Sequence, residues 1–96
     1  MKTKKYKSVE DFGKALGISP ERIAISKMKA VLTKKIIQEV EARHLTAAEC
    51  AQFACLSRTV ISGIINGSLQ SVSLERLLRL ASALDLSIEL KIKRAA

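Results

Sequence analysis

The apolar residues of this chain recur at helical spacing over most of its length. Between residues 26 and 44 they fall on one side of a helix, while lysine, arginine and glutamate occupy the other side. This segment predicts the longest helix, with an apolar side made of Met28, Val31, Leu32, Ile36 and Val40. After Ser73 a second stripe predicts another helix, with Leu74, Leu77, Leu78, Ala81 and Leu84 on its buried side.

Capping residues divide the chain into further helices. A serine or threonine stands at each expected helix start, and these residues are Ser8, Ser19, Thr46, Ser57 and Ser73. Pro20 strengthens the second start, and Glu49 completes a capping box with Thr46. We expect Gly17 and Gly67 to end helices in the left-handed conformation, the first of them after a short helix that buries Val9, Phe12 and Leu16. The expected fold class is all-α, a bundle of about five helices.

The hydrophobic period changes at the carboxyl end. Residues 86–93 alternate strictly, with Leu86, Ile88, Leu90 and Ile92 on one face, which predicts a β-strand. A single strand cannot satisfy its own backbone hydrogen bonds, and its exposed edge would promote aggregation. We therefore expect it to pair with the same strand of a second copy in a homodimer. Pairing with residues near Tyr6, or with another protein, is the alternative.

Composition and charge bound the function. The 96 residues suit one domain, 48% of them are apolar, and no apolar run reaches the ~20 residues that span a bilayer, so we expect no membrane association and a cytoplasmic protein. Seventeen Lys and Arg against nine Asp and Glu give a net charge of +8, which favours a polyanionic partner, unless the excess serves only solubility. Residues 1–7 carry Lys2, Lys4, Lys5 and Lys7 and are expected to form a flexible basic arm before a single domain at 8–96.

Candidate chemistry is sparse. Cys50, Cys55 and the single histidine, His44, offer no fourth soft ligand for a closed zinc site, so we expect reduced thiols, no metal and no cofactor. The chain contains no glycine-rich phosphate loop and no pair of carboxylates in an apolar setting. We expect a protein that is not an enzyme.

Residues 45–67 contain the most informative pattern, two short helices joined by a short turn. If Leu56, Ile61 and Ile64 are buried, the second helix presents small polar residues outward, with Arg58 at its start. Such side chains can bond to base edges, and arginine can bind guanine or phosphate. We expect the DNA-binding set to be Ser57, Arg58, Thr59, Ser62, Gly63 and Asn66, with Thr46 and Ala47 from the first helix. The alternative is a plain helical hairpin within a bundle.

These residues resemble the helix-turn-helix of the XRE family, the lambda repressor/Cro-like regulators. The resemblance is carried by Leu45-Thr46, Ala51, Ser57-Arg58, Ile61-Ser62, Asn66-Gly67 and the segment from Ser73 to Leu78. It implies a transcriptional repressor that binds a palindromic operator in double-stranded DNA. Over Ser8 to Ile92 the chain also resembles a compact subgroup similar to HigA-type antitoxins, through Phe12, Ala15-Leu16-Gly17, Ser19-Pro20-Glu21 and the final strand. That implies an antitoxin that binds a RelE/HigB-like toxin and represses its own operon.

Three positions depart from the family pattern. Ala47 stands where a glutamine usually contacts DNA, Cys55 replaces the usual turn glycine, and Gly63 lies in the middle of the second helix. A non-glycine residue in a left-handed turn costs ~1 kcal/mol unless the turn adjusts. These departures leave a rival hypothesis open, a protein-interaction module that neutralises a toxin with weak or no DNA binding.

Overall fold

The computed structural model describes residues 14–68 and 72–94. The expected basic arm, the cap at Ser8, and the burial of Val9 and Phe12 lie outside the described residues. Lys14 and Ala15 are helical, and Gly17 follows with φ +74° while its N–H donates to the Lys14 carbonyl oxygen at 3.1 Å. The predicted left-handed stop at Gly17 is therefore confirmed. Leu16, expected to be buried, is exposed among the described residues.

Four helices have both ends within the described residues: α1 (Pro20–Ala42), α2 (Ala47–Ala54), α3 (Arg58–Ile65) and α4 (Leu74–Ala83). Each follows a capping residue with extended backbone, whose side-chain oxygen accepts a hydrogen bond from the N–H three residues later. The four capping residues are Ser19, Thr46, Ser57 and Ser73, all as predicted. The all-α class is confirmed.

The first helix differs from its prediction. We expected a start signal at Ser19 and a separate long helix over residues 26–44, but α1 is one helix of 23 residues from Pro20. No glycine or proline follows Pro20 before Ala42, so nothing interrupts the hydrogen-bond ladder once Ser19 has capped it. The described part of the chain therefore contains four complete helices. The helix expected after Ser8 lies mostly outside the described residues, which include only its last helical positions, Lys14 and Ala15.

The core lies where α1, α2, α3 and α4 meet. Its buried side chains come from all four helices and from the residues next to α4, and they are Ile36, Val40, Cys50, Ala51, Ala54, Ile61, Ile64, Val72, Leu77, Leu80, Ala81 and Leu84. Met28 and Val31, predicted to be buried, are instead exposed. The other three helices are only 8 to 10 residues long, too short to cover a 23-residue helix along its whole length.

Three helices end in the same way, at a residue in the left-handed conformation that is not glycine. His44, Cys55 and Asp85 have φ of 54°, 54° and 60°. In each case that residue's N–H donates to the carbonyl three positions back, and the next residue's N–H donates to the carbonyl five positions back. The next residue is always leucine (Leu45, Leu56 and Leu86), and each packs against the core. The contact between this leucine and the core stabilises a left-handed turn in which glycine is the usual residue.

Arg43 connects the carboxyl ends of α1 and α4. Its Nη2 donates to the Leu84 carbonyl oxygen at 2.7 Å, and its Nε donates to Glu39 Oε1 at 2.6 Å. A carbonyl at the end of α4 has no partner within its own helix, so the guanidinium supplies one. Sequence spacing placed Arg43 only on the polar side of α1; the long-range bond depends on the packing.

The carboxyl segment was predicted as a strand, and the structure does not support this. Residues 86–94 adopt no regular secondary structure, and no strand occurs among the described residues. Leu86 packs on the core, but Ile88, Leu90 and Ile92 are 43%, 76% and 91% exposed. A strand is defined by its ladder, and in the described part of a single chain this segment has only helices beside it.

We predict that Cys55→Gly will stabilise the protein by about 1 kcal/mol, because glycine adopts the left-handed turn without the steric cost of a Cβ. The free energy of unfolding in urea measures the change. Cys55→Ser is the matched control, since it removes the thiol but keeps the Cβ, and it should leave stability nearly unchanged. A glycine variant no more stable than the serine variant would show that the turn carries no strain.

Candidate nucleic-acid interface

The position of α3 is fixed by two isoleucines. Ile61 and Ile64 are completely buried in the core cluster that also contains Cys50, Ala51 and Ala54 of α2. These α2 side chains are short, which allows α3 to approach closely. Burial, and to a lesser extent the nearby Glu49 carboxylate, raise the pKa of the Cys50 thiol, so Cys50 remains neutral and fills core space.

A three-residue turn connects α2 to α3. Cys55 reverses the chain in the left-handed conformation, and the Leu56 N–H donates to the Ala51 carbonyl oxygen at 3.0 Å. Ser57 Oγ then accepts a hydrogen bond from the Val60 N–H at 3.2 Å and caps α3. The turn therefore sets the angle at which α3 leaves α2 and keeps the amino end of α3 at the surface.

The face of α3 opposite the core brings together most of the predicted site residues. Arg58, Thr59, Ser62 and Asn66 are exposed, and Gly63 is half-buried. All except Arg58 are short, so they leave the helix backbone close to any molecule that docks on this face. Hydroxyl, amide and guanidinium groups supply hydrogen-bond donors and acceptors without adding a negative charge.

The electrostatics of this region favour an anion. No aspartate or glutamate occurs between Glu49 and Glu75, and Arg58 is the only charged residue in that interval. A phosphate backbone docked on α3 would therefore meet no carboxylate from the motif's second helix.

The two predicted residues of α2 differ from the α3 set. Thr46 is exposed, but its Oγ1 accepts from the Glu49 N–H at 3.1 Å and its own N–H donates to Glu49 Oε1 at 2.9 Å. Ala47 is half-buried and packs against the core. Thr46 thus stabilises the start of α2, and Ala47 presents only part of its methyl group to solvent.

The carboxyl end of α3 is closed by a glycine turn. Gly67 has φ +77°, its N–H donates to the Ile64 carbonyl oxygen at 3.1 Å, and the Ser68 N–H donates to the Gly63 carbonyl oxygen at 2.8 Å. This confirms the predicted stop at Gly67. Its position leaves Asn66 exposed at the last turn of the helix.

Two exposed apolar side chains on the motif were not predicted from sequence. Phe53 on α2 is about half exposed, and Ile65 at the end of α3 is also exposed. An apolar side chain near a DNA groove can contact a thymine methyl group. Helical spacing gave no signal for them, because apolar residues beside a buried stripe are ordinarily assigned to the core.

Comparison with known protein families identifies the family of this chain. Residues 9–93 match a family model described as a helix-turn-helix domain. The protein belongs to this helix-turn-helix family. No significant match was found among curated proteins or among solved structures. Membership in this helix-turn-helix family supports DNA as the partner and a regulatory role. The helices α2 and α3 and the turn between them lie in the segment 45–67, where the sequence predicted the motif.

Two further findings concern other kinds of site. No helix within residues 14–68 and 72–94 is long and apolar enough to cross a membrane. Over the same residues, no three His, Cys, Asp or Glu side chains lie close enough together to hold a metal ion.

We predict that Gly63→Ala will stabilise the helix-turn-helix protein by roughly 0.5–1 kcal/mol, the usual advantage of alanine over glycine inside a helix. A Cβ at this position would lie 3.7 Å from Val72 Cγ2, an ordinary van der Waals distance. Gly67→Ala is the matched control and should destabilise, because φ at Gly67 is +77°. Denaturant midpoints that shift in the same direction for both variants would contradict this account of the two glycines.

Proposed function

We propose that this helix-turn-helix protein is a sequence-specific transcriptional repressor that binds a palindromic DNA operator as a homodimer. The observation that carries the proposal is the outward face of α3, which is exposed, free of carboxylates and composed of short hydrogen-bonding side chains beside Arg58. A face with these properties fits the major groove, where base edges present donors and acceptors in a sequence-dependent order. We propose that the protein acts in the cytoplasm without catalytic activity, metal or cofactor.

Arg58 has the largest role in this proposal. Its guanidinium stands at the exposed first position of α3, where it can form two parallel hydrogen bonds to guanine. Thr59, Ser62 and Asn66 supply shorter contacts along the same face, and Gly63 allows the backbone to approach the base pairs. Ser57 and Thr46, at the starts of their helices, lie where a phosphate is attracted to helix N–H groups.

The dimer follows from the carboxyl segment. Ile88, Leu90 and Ile92 are exposed, and residues 86–94 have no strand beside them in the described part of the chain. Pairing of this segment with its two-fold mate would turn residues 86–93 into an antiparallel ladder, the strand expected from their alternation. Two α3 helices would then face successive major grooves ~34 Å apart.

The finer family assignment suggests a biological role. The resemblance to XRE regulators, and within them to HigA-type antitoxins, supports an autoregulating antitoxin whose second partner is a RelE/HigB-like toxin. The rival function, toxin neutralisation with weak or no DNA binding, is favoured by Ala47, whose partly buried methyl replaces a polar contact, and by the missing side chain at Gly63. A small basic toxin gene beside this one would support both forms of the antitoxin role.

We predict that Arg58→Ala will weaken binding to the operator by about 1–3 kcal/mol, the discrimination of one bidentate base contact, with little effect on random duplex. The operator is first selected from a pool of random duplexes, and affinities are then measured by fluorescence anisotropy at one fixed salt concentration. Arg58→Lys is the control that keeps the charge but loses the planar fork. Equal losses on both duplexes, with Arg58→Lys behaving like wild type, would make Arg58 a phosphate contact instead.

We predict that replacing Ile88 and Leu90 with lysine will give a monomer that keeps its helical content but loses high-affinity operator binding. Both side chains are exposed in the single chain, so the helices should tolerate the change, whereas two linked α3 helices gain affinity from high effective concentration. Sedimentation velocity, circular dichroism and anisotropy test the three steps. A double variant that remains dimeric, or a monomer with full operator affinity, would contradict the proposed mechanism.

A further inference from the structure

An apolar groove runs between the carboxyl segment and the helices beneath it. The groove has a volume of about 400 Å³. Met28, Val31 and Leu32 of α1 and Leu74 and Leu78 of α4 form its floor, while Ile88, Glu89 and Leu90 form one wall, with Lys27 also lining it. Val31 is 65% exposed at this floor, so the groove is open to water in the single chain.

The carboxyl segment exposes apolar side chains that nothing in the described part of the chain covers. Exposure rises along it from Leu86, which packs on the core, through Ile88 to Leu90 and Ile92, which keep most of their surface in water. A single chain therefore leaves an apolar groove unfilled and, directly beside it, apolar side chains uncovered. A groove and side chains of this kind, lying side by side, can cover each other in an interface.

Two features favour a second copy of the chain over a small ligand as the occupant. Ligand sites combine an apolar cavity with several convergent polar groups, and this groove has only Lys27 and Glu89 among its lining side chains. The segment, by contrast, has an aliphatic residue at every second position from Leu86 to Ile92, and a strand would place these residues on one face. In an antiparallel pair, directly opposed residues point to the same face of the ladder. A mate beside Ile88 and Leu90 would therefore bring its own aliphatic side chains over the groove.

We propose that the two copies exchange these elements reciprocally: Leu90 and Ile92 of each chain fill the groove above Val31 in the other. The inference rests on the proposed dimer and goes beyond strand pairing, because it assigns the α1 and α4 floor to the interface. Each contact occurs twice in an isologous dimer. A defect in the floor should therefore weaken association as strongly as a defect in the segment.

The test uses one variant of each element in the full chain. Val31→Glu places a charge on the floor, and Ile92→Lys places the opposite charge on the segment without changing a residue that lines the groove in its own chain. Both positions are exposed, so folding should persist. Each variant alone should raise the dimer dissociation constant at least ~100-fold, because burial of an aliphatic side chain contributes more than a factor of ten and is lost twice. An equimolar mixture should recover dimers, since one exchange is then intact and the other pairs Glu with Lys.

Sedimentation velocity on wild type, each variant and the mixture distinguishes the possibilities. A dimeric wild type with an equally dimeric Val31→Glu variant would overturn the exchange and leave the proposed dimer standing. A monomeric wild type would overturn both, while operator binding, measured separately, would still report on α3. An apolar fluorescent dye provides a second measurement and should bind the Ile92→Lys monomer, whose groove lining is unchanged, more strongly than wild type. Equal dye binding would show that the groove stays open for a different partner and would overturn the exchange.

Discussion

The architecture depends on the removal of Ile61 and Ile64 from water. Both side chains are on one side of α3 and are completely buried, in a core that includes the short residues Cys50, Ala51 and Ala54 of α2. Their burial determines which face of α3 remains outside. Arg58, Thr59, Ser62 and Asn66 are exposed as a consequence, because residues on the side opposite a buried pair cannot reach the core.

The turns that end three of the helices are also fixed by burial in the core. His44, Cys55 and Asp85 each reverse the backbone at a steric cost, and the leucine that follows each of them enters the core. The apolar contact and the two backbone hydrogen bonds of each turn offset that cost. Helix directions are thus fixed by the same burial that forms the core, and Arg43 adds a direct bond between the ends of α1 and α4.

The same packing leaves apolar side chains of α1 and of the carboxyl segment exposed. Three short helices cannot cover a 23-residue helix, so Met28 and Val31 stay at the surface beside a carboxyl segment whose own apolar side chains are exposed. A chain of this size buries only a modest fraction of its surface on folding, and association with a second copy would bury more of it. In the proposed dimer, DNA binding and dimerisation would use separate surfaces, α3 for DNA binding and the groove with the carboxyl segment for dimerisation.

The sequence by itself determined the features that depend on near neighbours. Ser19, Thr46, Ser57 and Ser73 cap the helices as predicted, Gly17 and Gly67 adopt the left-handed conformation, and Ile61 and Ile64 are buried, because capping, turn geometry and periodicity act over a few residues. Only the tertiary structure decided the exposure of Met28 and Val31, the Arg43 bond to Leu84 and the absence of a ladder at residues 86–94. Each of these depends on which surface lies opposite, and a periodic pattern states that a side chain is apolar without stating what will cover it.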